Sequence, residues 1–297
     1  MRTEAVGGLF VYDLVEREER RIFHKEELAL EDLAHHPERA QVACSVAQVE
    51  GQSIALCSTE RFDLDLVTEG DSVDACPSWV PGQSNALVYQ SAGIGRNQAG
   101  LPVGLGPAAI EKVDLKNGTQ ETLLSDPLWD YLSPRLDEEG NLYCIRRPYE
   151  LGHKRSHWES LKDFALIPYR ILKALYGFFN LMSQIFGKES LVTERPGVRE
   201  DQMKAVYLKG RLLDLRKVDK GASDASVVPA DWQLIRVSPA GEQTVLADRV
   251  SEYDLGEDGE VLFTSGWAVY KWTSAKTSRL YKGSDLIEGL LPLGGST

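Results

Sequence analysis

A strand–turn–strand pattern recurs through the chain and constrains its fold more than any other feature. Its most complete copy spans residues 77–124, where a turn-rich start leads into an apolar run at 85–89. Apolar and polar residues then alternate over 109–115, a Lys-Asn-Gly turn follows, and the chain returns over 120–124. Because period-two alternation places one face of a strand in the core, this stretch predicts a small antiparallel sheet.

Further copies of both halves of this unit lie along the chain. The second half, a strand, a turn and a second strand, recurs at residues 9–23, 232–246 and 267–281, with a weaker copy at 61–70. The first half, a glycine-containing turn before an apolar strand, recurs at residues 50–57, 139–144 and 258–263. Repeats of about four short strands are typical of β-propellers, and the copies predict about five blades.

Two stretches carry a family resemblance. Residues 74–82 (Asp-Ala-Cys-Pro-Ser-Trp-Val-Pro-Gly), followed by an apolar strand, resemble the PD40 (WD40-like) repeat of TolB-like β-propellers, and so do residues 133–143. In that family a Pro-Asp-Gly turn links the innermost two strands of each blade. Here Pro81-Gly82 lacks the aspartate, and Pro134 lies further from its glycine. The resemblance covers most of the chain outside residues 151–199 and implies a propeller fold.

The two ends of the chain predict how the ring closes. The chain begins in what look like the outer strands of a blade, and the apolar residues at 285–293 predict one further strand. Pairing of that strand with the N-terminal blade would remove two exposed sheet edges. We therefore expect residues 1–297 to form a single all-β domain, an about five-bladed β-propeller closed by the C-terminal strand, with a helical insertion at residues 151–199.

The insertion interrupts the alternating pattern with helical periodicity over residues 158–186. Residues 154–188 hold six basic and two acidic residues, whereas the whole chain has a formal net charge of −12. Arg170 and Lys173 within the apolar run disfavour a transmembrane span. Two other readings stay open: a cap packed on the chain's own propeller, or an amphipathic helix that contacts a protein partner, a second copy or a membrane surface. The residues predicted to form that surface are Trp158, Leu161, Leu172, Leu175, Phe178, Phe179, Met182 and Phe186.

Composition excludes some classes of function. The net charge of −12 argues against a binder of the nucleic-acid backbone, which needs clustered lysine and arginine. The N-terminus has no apolar segment of the kind found in secretory signals, so we expect a cytoplasmic protein. The four cysteines are scattered through apolar runs without a Cys-x-x-Cys spacing, which favours buried thiols over disulfides or zinc.

Motifs of catalysis and cofactor binding are weak. The sequence has no Gly-x-Ser-x-Gly motif, and the glycine-rich residues 91–106 lack the ending of a phosphate-binding loop, so a mobile loop is expected there. His153 and His157, His35 and His36, and the aspartates between residues 63 and 74 are the candidate metal ligands. Structural roles are the better interpretation of all three groups, and no cofactor or metal is predicted.

The predicted function follows from the architecture. We expect a non-enzymatic scaffold that binds a protein partner, a second copy or a membrane surface through the insertion. The alternative is an enzyme or carbohydrate-binding propeller with its site in the central channel, so the question of catalysis stays open. Candidate channel residues are Asp74, Asp130, Arg146 and Arg147, which lie on or near predicted strand ends.

Overall fold

The computed structural model describes residues 6–13, 15–26, 28–48, 51–61, 63–150, 205–214, 226–256, 259–283, 285–287 and 289–290. In these ranges the chain forms 21 β-strands and no α-helix. The chain divides into two compact units, Met1–Tyr149 with Ala205–Thr297 as one and Glu150–Lys204 as the other. All the strands described below belong to the first unit.

Four antiparallel meanders follow one another along this unit. The first contains β3 (Leu30–His35), β4 (Gln41–Ala47), β5 (Gln52–Ser58) and β6 (Leu64–Leu66). The second contains β7 (Ser72–Val80), β8 (Gln83–Arg96), β10 (Ala109–Asp114) and β11 (Thr119–Leu124), with β9 (Pro102–Leu105) paired to the far end of β8. The third contains β12 (Trp129–Leu136), β13 (Leu142–Pro148), β16 (Gln233–Val237) and β17 (Gln243–Asp248). The fourth contains β18 (Glu252–Leu255), β19 (Val261–Thr264), β20 (Ala268–Trp272) and β21 (Thr277–Lys282).

Two hairpins lie outside the meanders. One pairs β1 (Val6–Asp13) with β2 (Glu18–Glu26), and the other pairs β14 (Ala205–Leu208) with β15 (Arg211–Asp214). Leu9 and Phe23 of the first hairpin pack against Cys44 and Ala55 of the first meander. Leu208 of the second packs in a cluster with Val228 and Trp232.

The repeat read from the sequence corresponds to these strand pairs. The predicted hairpins at residues 9–23, 109–124, 232–246 and 267–281 are confirmed as β1–β2, β10–β11, β16–β17 and β20–β21. The turn between β10 and β11 shows the local cause, since Asp114 Oδ1 accepts the N–H groups of Lys116 and Asn117 and Gly118 has a φ of 64°. The weaker copy at 61–70 contributes only the three-residue strand β6.

The first strands of successive meanders meet. β3 contacts β7, β7 contacts β12, and β12 contacts β18. Between the third and fourth meanders a core forms around Tyr143, Ile145, Leu234, Tyr253 and Phe263. First strands that adjoin at the centre, with later strands further out, are the arrangement of propeller blades.

The prediction of a ring closed by the C-terminal strand is wrong. Within the described part of the chain β21 is the last strand, and the N-terminal hairpin pairs with no other sheet. The segment after β21 returns instead to its own meander, where Ile287 N donates to Gly266 O at 2.9 Å and Gly283 N to Trp267 O at 2.8 Å. The described residues therefore hold four complete meanders and a hairpin in sheets that do not close, rather than about five closed blades.

The helical insertion is also unsupported. The ranges above contain no α-helix, and residues 151–199, where the helix was predicted, lie outside the described residues. In the ranges that are described, no helix is long and apolar enough to cross a membrane. The prediction of a mobile loop at residues 91–106 is wrong as well, because β8 continues to Arg96 and pairs with β9.

Candidate functional site

A backbone irregularity recurs in the first strands of three successive meanders. The pairing register shifts between Glu31 and Ala34 in β3, between Ala75 and Ser78 in β7, and between Leu132 and Arg135 in β12. Such β-bulges turn a side chain out of the regular pleat. Each bulge holds one non-glycine residue in the left-handed region, and these residues are Asp32 (φ 51°), Cys76 (φ 53°) and Ser133 (φ 53°).

At two of the bulges a backbone N–H group does not pair within the strand ladder. A side-chain oxygen of a neighbouring meander accepts each of these N–H groups instead. Cys76 N donates to Asp32 Oδ2 at 3.0 Å, and Ser133 N donates to Gln90 Oε1 at 2.8 Å. In both cases the acceptor belongs to the preceding meander. The hydroxyl of Tyr253 in the fourth meander lies 2.6 Å from Ser133 O. The bulges thus tie each meander to its neighbours.

Ser133 links the bulges to a pair of charged side chains. Ser133 Oγ lies 3.8 Å from Cys76 Sγ. Lys209 Nζ donates to Ser133 Oγ at 2.9 Å and lies 2.6 Å from Glu252 Oε1 at the start of β18. We refer to Asp32, Cys76, Ser133, Lys209 and Glu252 as the bulge cluster.

Lys209 enters the cluster from the hairpin β14–β15. Lys209 and Gly210 form its two-residue turn with φ values of 43° and 78°, the conformation of a type I′ turn. Arg147 Nη1 donates to Lys209 O at 2.7 Å. Asp130 Oδ2 pairs with both Arg147 Nε, at 3.0 Å, and Arg211 Nη2, at 3.2 Å. This buried ion pair network anchors the hairpin to β12 and β13.

Burial shifts the pKa values of two cluster residues, Cys76 and Glu252. Burial raises the pKa of the Cys76 thiol to about 11, and Asp32 adds to the rise while Lys209 opposes it. Burial also raises the pKa of the Glu252 carboxyl, although the nearby Lys209 ammonium acts in the opposite direction. A thiol with a raised pKa is mostly protonated at neutral pH and is a weak nucleophile.

The channel residues predicted from the sequence lie in two settings. Asp130 and Arg147 are buried and paired with each other, and Arg147 also lies 4.8 Å from the centre of the Trp232 ring. Asp74 is buried and accepts a hydrogen bond from Ser91 Oγ at 2.7 Å. Arg146 stacks on Trp129 at 4.6 Å and donates to glutamines of β16 and β17. Asp130 and Arg147 therefore support the bulge cluster through the hairpin, whereas Arg146 points to the outer strands.

Other residues considered from the sequence have separate surroundings. The eight predicted interaction residues between Trp158 and Phe186, together with His153 and His157, lie outside the described residues. His36 is buried, with Nε2 3.1 Å from Ser84 O and its ring edge against Trp79. Asp63 pairs with Arg61, and Asp71 pairs with Arg96. The residues with described positions include no group of three or more potential metal ligands.

Only two residues of the bulge cluster, Cys76 and Ser133, could have been found from the sequence. Cys76 and Ser133 each precede a proline, Pro77 and Pro134, and a proline inside a strand marks an edge or a bulge because it cannot donate to the ladder. Asp32 precedes Leu33 and carries no such mark. Lys209 and Glu252 reach the cluster through tertiary packing alone.

An open groove of about 520 Å³ is lined by none of the cluster residues. Its lining includes Glu31, Gly51, Val73, Ile94 and Leu105 and is mainly apolar. Glu31 Oε2 accepts a long hydrogen bond of 3.4 Å from Gln52. The bulge cluster is the better candidate because several polar groups from different strands converge there.

Comparison with known proteins finds only solved structures, and all of those named here have low sequence identity to the chain. No protein-family model matches the chain, and no curated protein matches it. Similar solved structures include the tricorn protease (10% identity, 96% of this chain and 25% of that chain, TM-score 0.47). TolB from Acinetobacter baumannii is 11% identical over 93% of this chain and 60% of that chain, with a TM-score of 0.40. A putative TolB from Agrobacterium tumefaciens is 11% identical over 94% of this chain and 90% of that chain, with a TM-score of 0.42.

The structures named above comprise two TolB proteins and a protease. This chain spans about a quarter of the tricorn protease chain and 60% of the Acinetobacter TolB chain. Neither membership of a family nor an activity follows from TM-scores below 0.5. The description of the fold as propeller-like rests on the four meanders and their adjoining first strands.

Proposed function

We propose that this chain is a non-enzymatic binding module whose recognition site is the bulge cluster. The observation that carries the proposal is the repeated bulge, which brings Asp32, Cys76 and Ser133 from three meanders towards one place. A non-glycine residue in the left-handed region costs roughly 1–3 kcal/mol and persists only where the surrounding structure holds it. Such positions occur preferentially at ligand sites.

The chemistry of the cluster favours binding over catalysis. The Cys76 thiol has a raised pKa, so little thiolate is present at neutral pH. The Ser133 hydroxyl is buried, and its neighbour Lys209 is already paired with the Glu252 carboxylate. A serine becomes a nucleophile when an adjacent group accepts its proton, and a paired ammonium is a donor instead.

The enzymatic alternative has one observation in its favour. The contact of 2.9 Å between Lys209 Nζ and Ser133 Oγ is the distance expected of a serine–lysine pair. This reading requires Lys209 to be released from Glu252. A serine-directed fluorophosphonate probe distinguishes the two readings, because the binding module is not labelled at Ser133 and a serine hydrolase is.

Ligand-observed NMR with a panel of charged and neutral small molecules and short peptides tests the proposed function. Each hit is then measured against Asp32→Asn and Ser133→Ala, with Asp65→Asn on the exposed face of β6 as the matched control. We expect the first two variants to weaken binding by about tenfold or more, a loss of roughly 1.4 kcal/mol, and the control to bind like the wild type. Hits that bind all four proteins equally would contradict the proposal.

The predicted contacts of residues 151–199 are a separate proposal. We propose that this segment, basic in an acidic chain, contacts a protein partner, a second copy or an anionic membrane surface in the cytoplasm. Light scattering and liposome binding test it, with residues 158–186 replaced by a Gly/Ser linker. Loss of self-association or of liposome binding supports the contact, and unchanged behaviour contradicts it.

A further inference from the structure

We infer that the bulge cluster is a binding site for a primary ammonium group and that Lys209 is the chain's own occupant of that site. This inference rests on the proposed function and names its ligand class. The external ligand is a primary alkylamine, either a free small amine or the lysine side chain or N-terminus of a peptide.

The ammonium in the site comes from outside the meanders. Within the described residues the strands β14 and β15 pair only with each other, and Lys209 lies at the tip of their turn. Its side chain is 15% exposed, and its nitrogen contacts Ser133 Oγ on β12 and Glu252 Oε1 on β18. A hairpin thus delivers an ammonium to acceptors that two meanders provide.

The acceptors suit an ammonium better than a guanidinium. Ser133 Oγ and Glu252 Oε1 belong to different strands and converge on one nitrogen. A lysine ammonium is a compact charge with three donors, whereas the planar guanidinium of arginine matches two acceptors side by side. The guanidinium of Arg135 pairs instead with Asp254, at 3.5 Å.

The cluster has more acceptors than Lys209 uses. Asp32 Oδ2 accepts from Ser45 Oγ and Cys76 N, and Glu252 Oε1 faces Lys209, but Asp32 Oδ1 and Glu252 Oε2 have no partner among the described residues. Glu252 therefore pairs with the ammonium through one oxygen and keeps its second oxygen for a ligand. Asp32 is exposed, and the Lys209 and Glu252 side chains are 15% and 23% exposed, so a ligand can reach this edge of the cluster from solvent.

Removal of Lys209 without loss of the hairpin makes the site available. Lys209→Asn replaces the Lys-Gly turn by Asn-Gly, the pair that type I′ turns prefer, and its side chain is too short to reach Glu252. Lys209→Gln is the second variant, since it keeps most of the aliphatic stem. Lys276→Gln in an exposed turn is the matched control for the loss of one positive charge.

The experiment is a calorimetric titration with n-butylamine, and with a short peptide that holds one internal lysine and an acetylated N-terminus. We expect Lys209→Asn and Lys209→Gln to bind n-butylammonium with a dissociation constant on the order of 1 mM and the wild type to bind about tenfold more weakly. Lys276→Gln should match the wild type, and n-butanol should not bind. Adding Glu252→Gln to Lys209→Asn should abolish binding.

The outcomes separate this inference from the proposed function. If both Lys209 variants are folded and bind n-butylamine no better than the wild type, or bind n-butanol equally well, the ammonium site is wrong. If these variants nevertheless bind other molecules of the panel, and Ser133→Ala weakens that binding, the proposed binding module is supported although the ammonium site is not. Binding of n-butylamine but not of the peptide assigns the site to small amines, and binding of both assigns it to lysine side chains as well.

Discussion

The carboxylate of Asp32 accepts a hydrogen bond of 3.0 Å from the backbone N–H of Cys76, so the bulge of one meander holds the bulge of the next. The same oxygen accepts a bond of 3.0 Å from Ser45 Oγ on β4. Asp32 thus connects its own meander to β7 at the point where the first strands meet. Aspartate also tolerates the left-handed conformation better than most residues.

Loss of the hydrogen bonds that Asp32 accepts should lower the free energy of unfolding. We expect Asp32→Ala to lower the free energy of unfolding by about 1–3 kcal/mol, because it removes a charged acceptor of two hydrogen bonds and places alanine in the left-handed region. Asp65→Ala, on the exposed face of β6, should stay within about 0.5 kcal/mol of the wild type. Urea denaturation measures both, and equal effects of the two substitutions would contradict the role of Asp32.

The buried network around Asp130 should matter far more than a surface ion pair. Asp130→Asn removes the carboxylate that faces both Arg147 and Arg211, with side chains 9% and 14% exposed, and should destabilise the fold by about 3–5 kcal/mol. Asp63→Asn breaks the exposed pair with Arg61 and should cost about 0–1 kcal/mol. Urea denaturation compares the two variants, and a cost for Asp130→Asn no larger than that of the control would show that the network does not anchor the hairpin.

Glu252 should give the stability a specific pH dependence. Its pKa is raised in the folded chain by burial, a rise to which Asp32 adds and which Lys209 and Arg135 oppose. The folded state therefore holds this proton more tightly than the unfolded state, so the contribution of Glu252 is present at low pH and is lost as pH rises through the folded pKa.

The side chain in Glu252→Gln is uncharged at every pH, so the variant does not lose stability as the pH rises through the pKa of Glu252. The stability of the variant relative to the wild type should therefore increase between about pH 4 and about pH 8. Free energies of unfolding at both ends of the range measure the change. If the wild type instead becomes more stable relative to the variant as the pH rises, the attraction between Glu252 and Lys209 outweighs the effect of burial on the pKa of Glu252.

Gly51 should tolerate no side chain where the first two meanders adjoin. A Cβ at this position would lie 2.5 Å from the backbone oxygen of Ser72, next to the bridge between Gln52 and Val73. We expect Gly51→Ala to destabilise the fold by about 1–3 kcal/mol, because the clash is with backbone that has to move. Gly104→Ala on β9 meets nothing within 4 Å and should stay within about 0.5 kcal/mol. Thermal and urea unfolding of both variants test this close approach.

The strand pairs were predictable from the sequence because their causes are local. Alternation over 109–115 and the Asp114 turn at Lys116-Asn117-Gly118 define β10 and β11 without information from elsewhere. The glycine-rich residues 91–106 predicted a loop because glycine is typical of loops. In the structure Arg96 pairs with Asp71 and Asn97 forms the turn that starts β9, so the strand continues.

The bulge cluster was only partly predictable. Pro77 and Pro134 mark two of its bulges, but the convergence of Asp32, Cys76 and Ser133 depends on how three meanders pack. Lys209 lies 76 residues from Ser133, and no periodicity relates two residues at that separation. The prediction of a closing strand was wrong for a similar reason, since an apolar run at 285–293 does not specify which strand it pairs with. In the structure Ile287 N donates a hydrogen bond to Gly266 O in its own meander.

Disulfide trapping between β7 and β12 tests most directly whether the bulges converge. Ser133→Cys places a second thiol where Ser133 Oγ lies 3.8 Å from Cys76 Sγ, within reach of a bond after a small side-chain rotation. The other three cysteines are buried and serve as internal controls. Mild oxidation at alkaline pH, where more of the Cys76 thiol is ionised, should link the two strands in one cross-linked peptide pair by mass spectrometry. Recovery of both thiols as separate alkylated peptides would show that the bulges do not meet and would contradict the site built on them.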